Sequence, residues 1–270
     1  MVEHVVPSGV RRWWHSRFGA AFGRELALVV GLLLFYKYGR TLVRDESGTA
    51  IHHAREVIGF ERELSIFTEA RLQEAVIAAG RSVEWFLNSY YLFAHIVVTA
   101  VAFLWLYARH PRTYARFRNV MVVMTFVGLA IHLLYPLAPP RMFPHLGFVD
   151  TGRQVGPASY GPDSPYHGFA NQFAAMPSLH FGWALAVAWA AVLASSSRLR
   201  WVVIAHPVLT LAAIVLTANH YWLDAIVAAF LFGGALLFDG WRLKRARRDR
   251  SESPRESASS RASPESLTRT

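Results

Sequence analysis

Phe173–Trp189 reads "FAAMPSLHFGWALAVAW", and further on Leu216–Phe230 reads "LTANHYWLDAIVAAF". Each is a run apolar enough to cross a bilayer, yet each opens on residues that are costly in hydrocarbon. The first starts with Pro177, Ser178 and His180, and the second with His220 and Asp224. Ionisable side chains at the mouths of membrane spans are rare and are retained for function. The fold and the chemistry are therefore both to be read outward from these two stretches.

The rest of the chain supports the membrane reading. It has 270 residues, of which 53% are hydrophobic, with no cysteine and a formal charge of +10, and its mean hydropathy is +0.25. The apolar residues fall in long blocks almost free of charge, and a span needs about 20 of them. Trp, Tyr and Phe make up 14% of the chain, which fits aromatic belts at the two interfaces. Absent cysteine excludes disulfides, thiolate nucleophiles and Cys-ligated zinc.

The expected fold is an all-α polytopic bundle of about six transmembrane helices. The spans are placed at 20–39, 85–108 and 119–138, then from Pro177 onward, at 201–218 (interrupted by Pro207) and at 221–241. Residues 1–19 form a basic cytoplasmic segment, and 20–84 hold the first span and amphipathic surface helices. Residues 85–241 form the main bundle, and 242–270 an Arg/Ser/Glu-rich tail expected to be disordered. No small-residue cleavage site follows Tyr38, so the first span reads as an anchor and not as a removed signal. Within 45–82, Ile58, Leu64, Phe67, Leu72 and Val76 recur at helical spacing among charges. They predict helices lying on the membrane surface or covering the bundle.

Charge orients the bundle. Arg109, Arg112, Arg116 and Arg118 crowd one short connection, Arg198 and Arg200 another, and Lys244, Arg245, Arg247 and Arg248 follow the last span. The positive-inside rule makes that side cytoplasmic, with both termini. Pro177, His180, His220 and Asp224 then meet on the extracytoplasmic side.

Proline at the first helical position loses no hydrogen bond, so Pro177 is expected there, with the Ser178, Leu179 and His180 amides facing outward as an anion site. His220 and Asp224 are four residues apart and share a helix face. Asp224 can fix the imidazole tautomer and leave the other nitrogen free to attack. His180 suits a general acid, and Arg141 in "PLAPPR" a planar fork for phosphate oxygens. Ser178 reads equally as a simple N-cap. A two-His, one-carboxylate metal site is the other reading of the trio. Arg141 would repel the cation, so no metal and no other cofactor is expected. His4, His15, His110, His145 and His167 read as interfacial anchors.

"AMPSLH" and "NHYWLD" resemble the P-S-x-H and H-x-x-x-D motifs of the PAP2 (type 2 phosphatidic acid phosphatase) superfamily. The wording of "AMPSLH" and "PLAPPR" is similar to its inositolphosphotransferase branch, related to inositol phosphorylceramide synthase, over residues 85–240. The resemblance implies a metal-independent enzyme of lipid metabolism, with His220 as the nucleophile that becomes phosphohistidine and Asp224 as its orienting partner. His180 would be the general acid and Arg141 the phosphate ligand. It implies a phospholipid or isoprenyl phosphate substrate in the bilayer, and no nucleic acid.

Two motif cations are replaced, by Leu134 seven residues before Arg141 and by Ile214 six before His220. That turns the expectation from phosphatidate phosphatase toward transferase. Asn219, Asn171, His132, Tyr135 and the Asn88, Tyr91 and His95 face are the candidates for the missing contacts. The rival readings are an isoprenyl-diphosphate or phosphatidate phosphatase, and a non-catalytic lipid-binding or transport protein on a decayed scaffold.

Overall fold

The structure is a computed structural model that describes residues 47–155 and 172–261, with Gly23, Ala27, Gly31 and Leu34 of the first apolar segment. The remainder of the span expected over 20–39, the centre of the outer loop with Asn171, and both chain ends lie outside the described residues. Among the described residues there is no β-strand, only one isolated parallel bridge between Leu137 and Ala174.

Two amphipathic helices come first, α1 (Ser47–Glu63) and α2 (Glu69–Ala79). They cover the bundle. Ala50, Ala54, Val57 and Ile58 of α1 pack with Leu137, Ala138, Phe143, Phe148 and Tyr221 in one buried cluster. The apolar spacing read from the sequence is corrected in part. α1 ends at Glu63 and Ser65 takes φ 59°, so the periodicity does not carry across the turn. Leu64 and Leu72 consequently face outward.

The spans follow. α3 (Arg81–Ser89) runs through a five-residue π turn, Tyr90–Ala94, into α4 (His95–Arg109) as one apolar stretch. α5 (Pro111–Leu134) begins eight residues before the expected 119, because Pro111 at its first turn already has a suitable φ and no N–H to lose. It ends where Pro136 disfavours a helical Tyr135. A polar loop with two 3₁₀ turns and the single-turn helix α6 (Thr151–Gln154) leads back to α7 (Leu179–Ala194). A 3₁₀ stretch, Arg198–Ile204, passes into α8 (Ala205–Leu216). Pro207 lies in the first turn of α8, where it interrupts nothing. α9 (Trp222–Arg261) continues past the boundary expected at 241, so the tail starts as helix; the Arg, Lys, Leu and Ala residues after Trp241 are good helix formers.

α7 is the central helix and touches α4, α5, α8 and α9. Its buried face is nearly all small: Gly182, Ala184, Ala186, Ala188, Ala190 and Ala191. Small residues let helices approach closely where lipid provides no hydrophobic drive. A Cβ on Gly182 would stand 2.5 Å from Met124 Cε. Large apolar side chains instead face outward, among them Ile96, Val97, Val101, Leu104 and Phe230, the last 78% exposed. That inversion is what a lipid solvent selects. The arginine clusters gather at one end of the bundle, and the starts of α7 and α9 lie at the other.

Gly182→Val should therefore overpack the α5–α7 contact at a cost of about 1–3 kcal/mol. The check is a lower thermal midpoint in detergent, partly restored by Met124→Ala.

Candidate active site

Five segments converge at the start of α9. The "PLAPPR" strand of loop is pinned twice. Leu137 N–H donates to the Phe173 carbonyl (2.7 Å), and Arg141 N–H donates to the Ala218 carbonyl (2.9 Å). Ala218 itself sits in the left-handed region, φ 55°, a conformation costing roughly 1–2 kcal/mol for a residue with a Cβ. The turn it makes delivers Asn219 and His220 to the head of α9.

His220 is almost completely buried. Its Nδ1–H points at two acceptors, the Ala175 carbonyl at 2.7 Å and Asp224 Oδ2 at 3.1 Å. Acceptors on that side place the ring proton on Nδ1, so the neutral imidazole keeps its lone pair on Nε2. Asp224 Oδ2 also accepts from the Tyr221 amide at 2.9 Å. Its Oδ1 is buried with no hydrogen-bond partner among the described residues. The i, i+4 pairing read from the sequence is present.

His180, half-buried on the first turn of α7, lies with its ring centroid 6.0 Å from that of His220. It is held between Tyr91, stacked at 4.6 Å, and His95 at 4.1 Å. His95 Nδ1–H donates to the Tyr91 carbonyl. Two of the three residues on the Asn88, Tyr91 and His95 face thus reach the site through His180. Asn88 does not; it donates to Thr151 Oγ1 and the Glu84 carbonyl and holds α6.

Pro177 is corrected. The N-cap is Ser178 and the helix begins at Leu179, so Pro177 precedes the cap instead of occupying the first helical position. The reason is hydrogen bonding: Pro177 offers its carbonyl to His132 Nε2–H (3.0 Å), and Ser178 takes the cap. Ser178 Oγ accepts from the Phe181 amide (3.4 Å) and its own amide donates to the Asp224 carbonyl (3.1 Å). Of the three amides expected to face outward, only those of Leu179 and His180 have no acceptor among the described residues.

Arg141 is buried beside this mouth. Its Nη1 donates to Asn219 Oδ1 at 2.6 Å, and its Nε lies 3.8 Å from Asp150 Oδ2. Asn219 Nδ2 in turn donates to Thr217 Oγ1. Asn219 is therefore a fixture that holds the guanidinium plane. Leu134 and Ile214, at the two missing cation positions, point away from any such role. Leu134 is 83% exposed on the outer surface, and Ile214 is packed in an apolar cluster. Tyr135 is engaged elsewhere, stacked on His53 with its hydroxyl donating to Glu56.

Sequence reading missed two acids, Glu61 and Glu69, which accept from the Leu223 and Trp222 amides of α9. A signal was present. Glu61 continues the buried row Ala50, Ala54, Val57 and Ile58, and Glu69 begins the row with Gln73 and Val76. An acid in phase with an apolar stripe is an acid facing inward.

A histidine–carboxylate pair thus lies beside a second histidine and a helix mouth, at one end of a bundle of apolar helices. The sequence pattern of the PAP2 superfamily matches residues 55–238, and the chain belongs to that superfamily. The chain is also similar to a phosphoinositol dihydroceramide synthase of Bacteroides thetaiotaomicron, with 31% identity over 136 residues, 45% of this chain and 44% of that protein. It thus aligns with under half the length of the curated relative. No solved structure matches it.

Two substitutions check the turn before His220. Ala218→Gly should be tolerated, since glycine enters φ 55° freely, whereas the β-branched Ala218→Val should lower activity by roughly tenfold or more and cost over about 1 kcal/mol. Ser178→Ala should cost about 1 kcal/mol, the worth of an N-cap, read as a shift of the thermal midpoint.

Proposed function

We propose that the protein transfers a phosphoinositol-type group between lipid alcohols at the extracytoplasmic face, through a phosphohistidine on His220. The observation that carries this reading is the pair of acceptors on His220 Nδ1, which leaves a buried, oriented lone pair on Nε2. In the first step Nε2 attacks phosphorus in line. The P–N bond forms as the bond to the leaving lipid oxygen breaks, and His180 gives that oxygen its proton. In the second step His180 takes the proton of the acceptor hydroxyl, whose oxygen attacks phosphorus and releases His220. Arg141, held flat by Asn219 and Asp150, faces the non-bridging oxygens as charge moves onto them. Ser178, with Pro177 before it, shapes the mouth whose two open amides supply further donors.

Two features support transfer over hydrolysis: the name of the Bacteroides relative, and the loss of both further cations at Leu134 and Ile214. The arginine-rich end of the bundle supports the orientation with both termini cytoplasmic.

The experiment offers purified protein phosphatidylinositol, phosphatidate and isoprenyl phosphates, with and without a ceramide-type alcohol, and scores released phosphate and new lipid separately. Transfer gives a new phosphoinositol lipid; inositol phosphate from phosphatidylinositol, or free phosphate from the monoesters, released to water as the main product rejects it. His220→Ala should abolish turnover and the acid-labile label trapped on wild type from a labelled lipid. Arg141→Lys keeps the charge but not the fork and should lower turnover on the order of 10²-fold.

A further inference from the structure

Two carboxyl groups that this reaction does not use meet at the first turn of α9. Glu61 lies in the last turn of α1 and Glu69 opens α2, with the chain reversing between them at Ser65. Both side chains are fully buried. Glu61 Oε1 accepts from the Leu223 amide at 2.7 Å, and Glu69 Oε1 accepts from the Trp222 amide at 3.2 Å. The other oxygen of each, Oε2, is buried without a donor among the described residues, and because Trp222 and Leu223 are consecutive the two carboxyls they hold are neighbours. Two ionised carboxylates repel at that range. A single proton between them makes an O–H···O⁻ bond and satisfies both oxygens at once.

The geometry points to a shared-proton clamp: Glu61 and Glu69, holding one proton between them, fix the first turn of α9 and through it the His220 ring. They are positioning residues for the transfer proposed above, on which this inference rests. Apart from the two amides they accept from, the charged and titratable groups around the clamp give a second negative charge no relief. Glu69 faces Glu61 from α2, and Asp224 and Tyr221 face it from the head of α9. Arg62, the neighbouring cation, lies over the Phe67 ring, and Arg141 is engaged with Asn219 and Asp150. Burial, reinforced by Glu69, pushes the Glu61 carboxyl up from 4.5 to about 9. A carboxyl raised in this way favours the closed clamp fully below pH 4.5, and the preference drains away as the pH climbs to about 9. The positioned turn is therefore lost on the alkaline side.

The test compares the full-length wild type with Glu61→Gln, Glu61→Ala and His220→Ala in detergent, between about pH 6 and 10. One readout is hydrogen exchange of the Trp222–Asp224 amides, corrected for the intrinsic rate; the other is turnover of phosphatidylinositol in mixed micelles with a ceramide-type alcohol. Wild type should lose amide protection and kcat together toward pH 9. Glu61→Gln, a permanent neutral donor facing the Glu69 carboxyl, should keep both and lack the alkaline decline. Glu61→Ala should lose about tenfold or more in kcat with little change in KM, a loss that Gln repairs. Alkaline exchange in Glu61→Gln identical to wild type, or Glu61→Ala with unaltered kcat, overturns the clamp. Turnover that survives His220→Ala overturns the phosphohistidine reading instead, and the exchange result stands by itself.

Discussion

An α-helix that begins inside a protein has backbone N–H groups with no partner of their own, and the last helix of this bundle begins under a cover that excludes water. Its leading amides are met one after another by acids: Tyr221 by Asp224, Trp222 by Glu69 and Leu223 by Glu61. The Asp224 carbonyl accepts from Ser178, the cap of α7. Much else depends on this arrangement. It requires α1 and α2 to fold back over the bundle, it couples the heads of the two helices that carry the histidines, and it sets Asp224 against His220.

The site is therefore built mainly from turns, with helices as their supports. The Leu137 bridge places the Ala175 carbonyl on His220, and the Ala218 turn ties the backbone of Arg141 to the residue before Asn219. Below this layer the bundle is packed through the small face of α7. The end that carries the histidines is held by directional hydrogen bonds, and the body of the bundle sets packing distance with missing side-chain volume. The two meet on α7, where His180 and Gly182 are separated by a single residue.

Legibility in the sequence followed the range of the interaction. Helix class and the His220–Asp224 pairing were readable because hydropathy and i, i+4 spacing are local properties. His180 was readable from its place at a span mouth. Its enclosure by Tyr91 and His95 was only half visible, since facing residues on different helices leave no spacing to count. Pro177 was misplaced by two positions because Ser178 takes the cap, and proline before a cap looks the same in sequence as proline after it. Glu61 and Glu69 were passed over as solvated charges of an amphipathic segment. Only their phase with the buried alanines and Val76 separates them from Glu56 or Glu63. The Ala175 carbonyl carries no residue signal at all, because any amino acid supplies that oxygen.

The π turn at Tyr90–Ala94 contains one of the residues that flank His180 and directly precedes the other. A regular helix advances each residue by about 100° around its axis, so a wide turn changes the facing of everything after it. Tyr91 lies within this wide turn and His95 directly follows it. The length of the stretch from Arg81 to Arg109 is then constrained by angular register at the histidine end as well as by bilayer thickness. One residue removed from it would still leave a helix able to cross the membrane, but with His95 turned about a quarter of the way around, toward lipid.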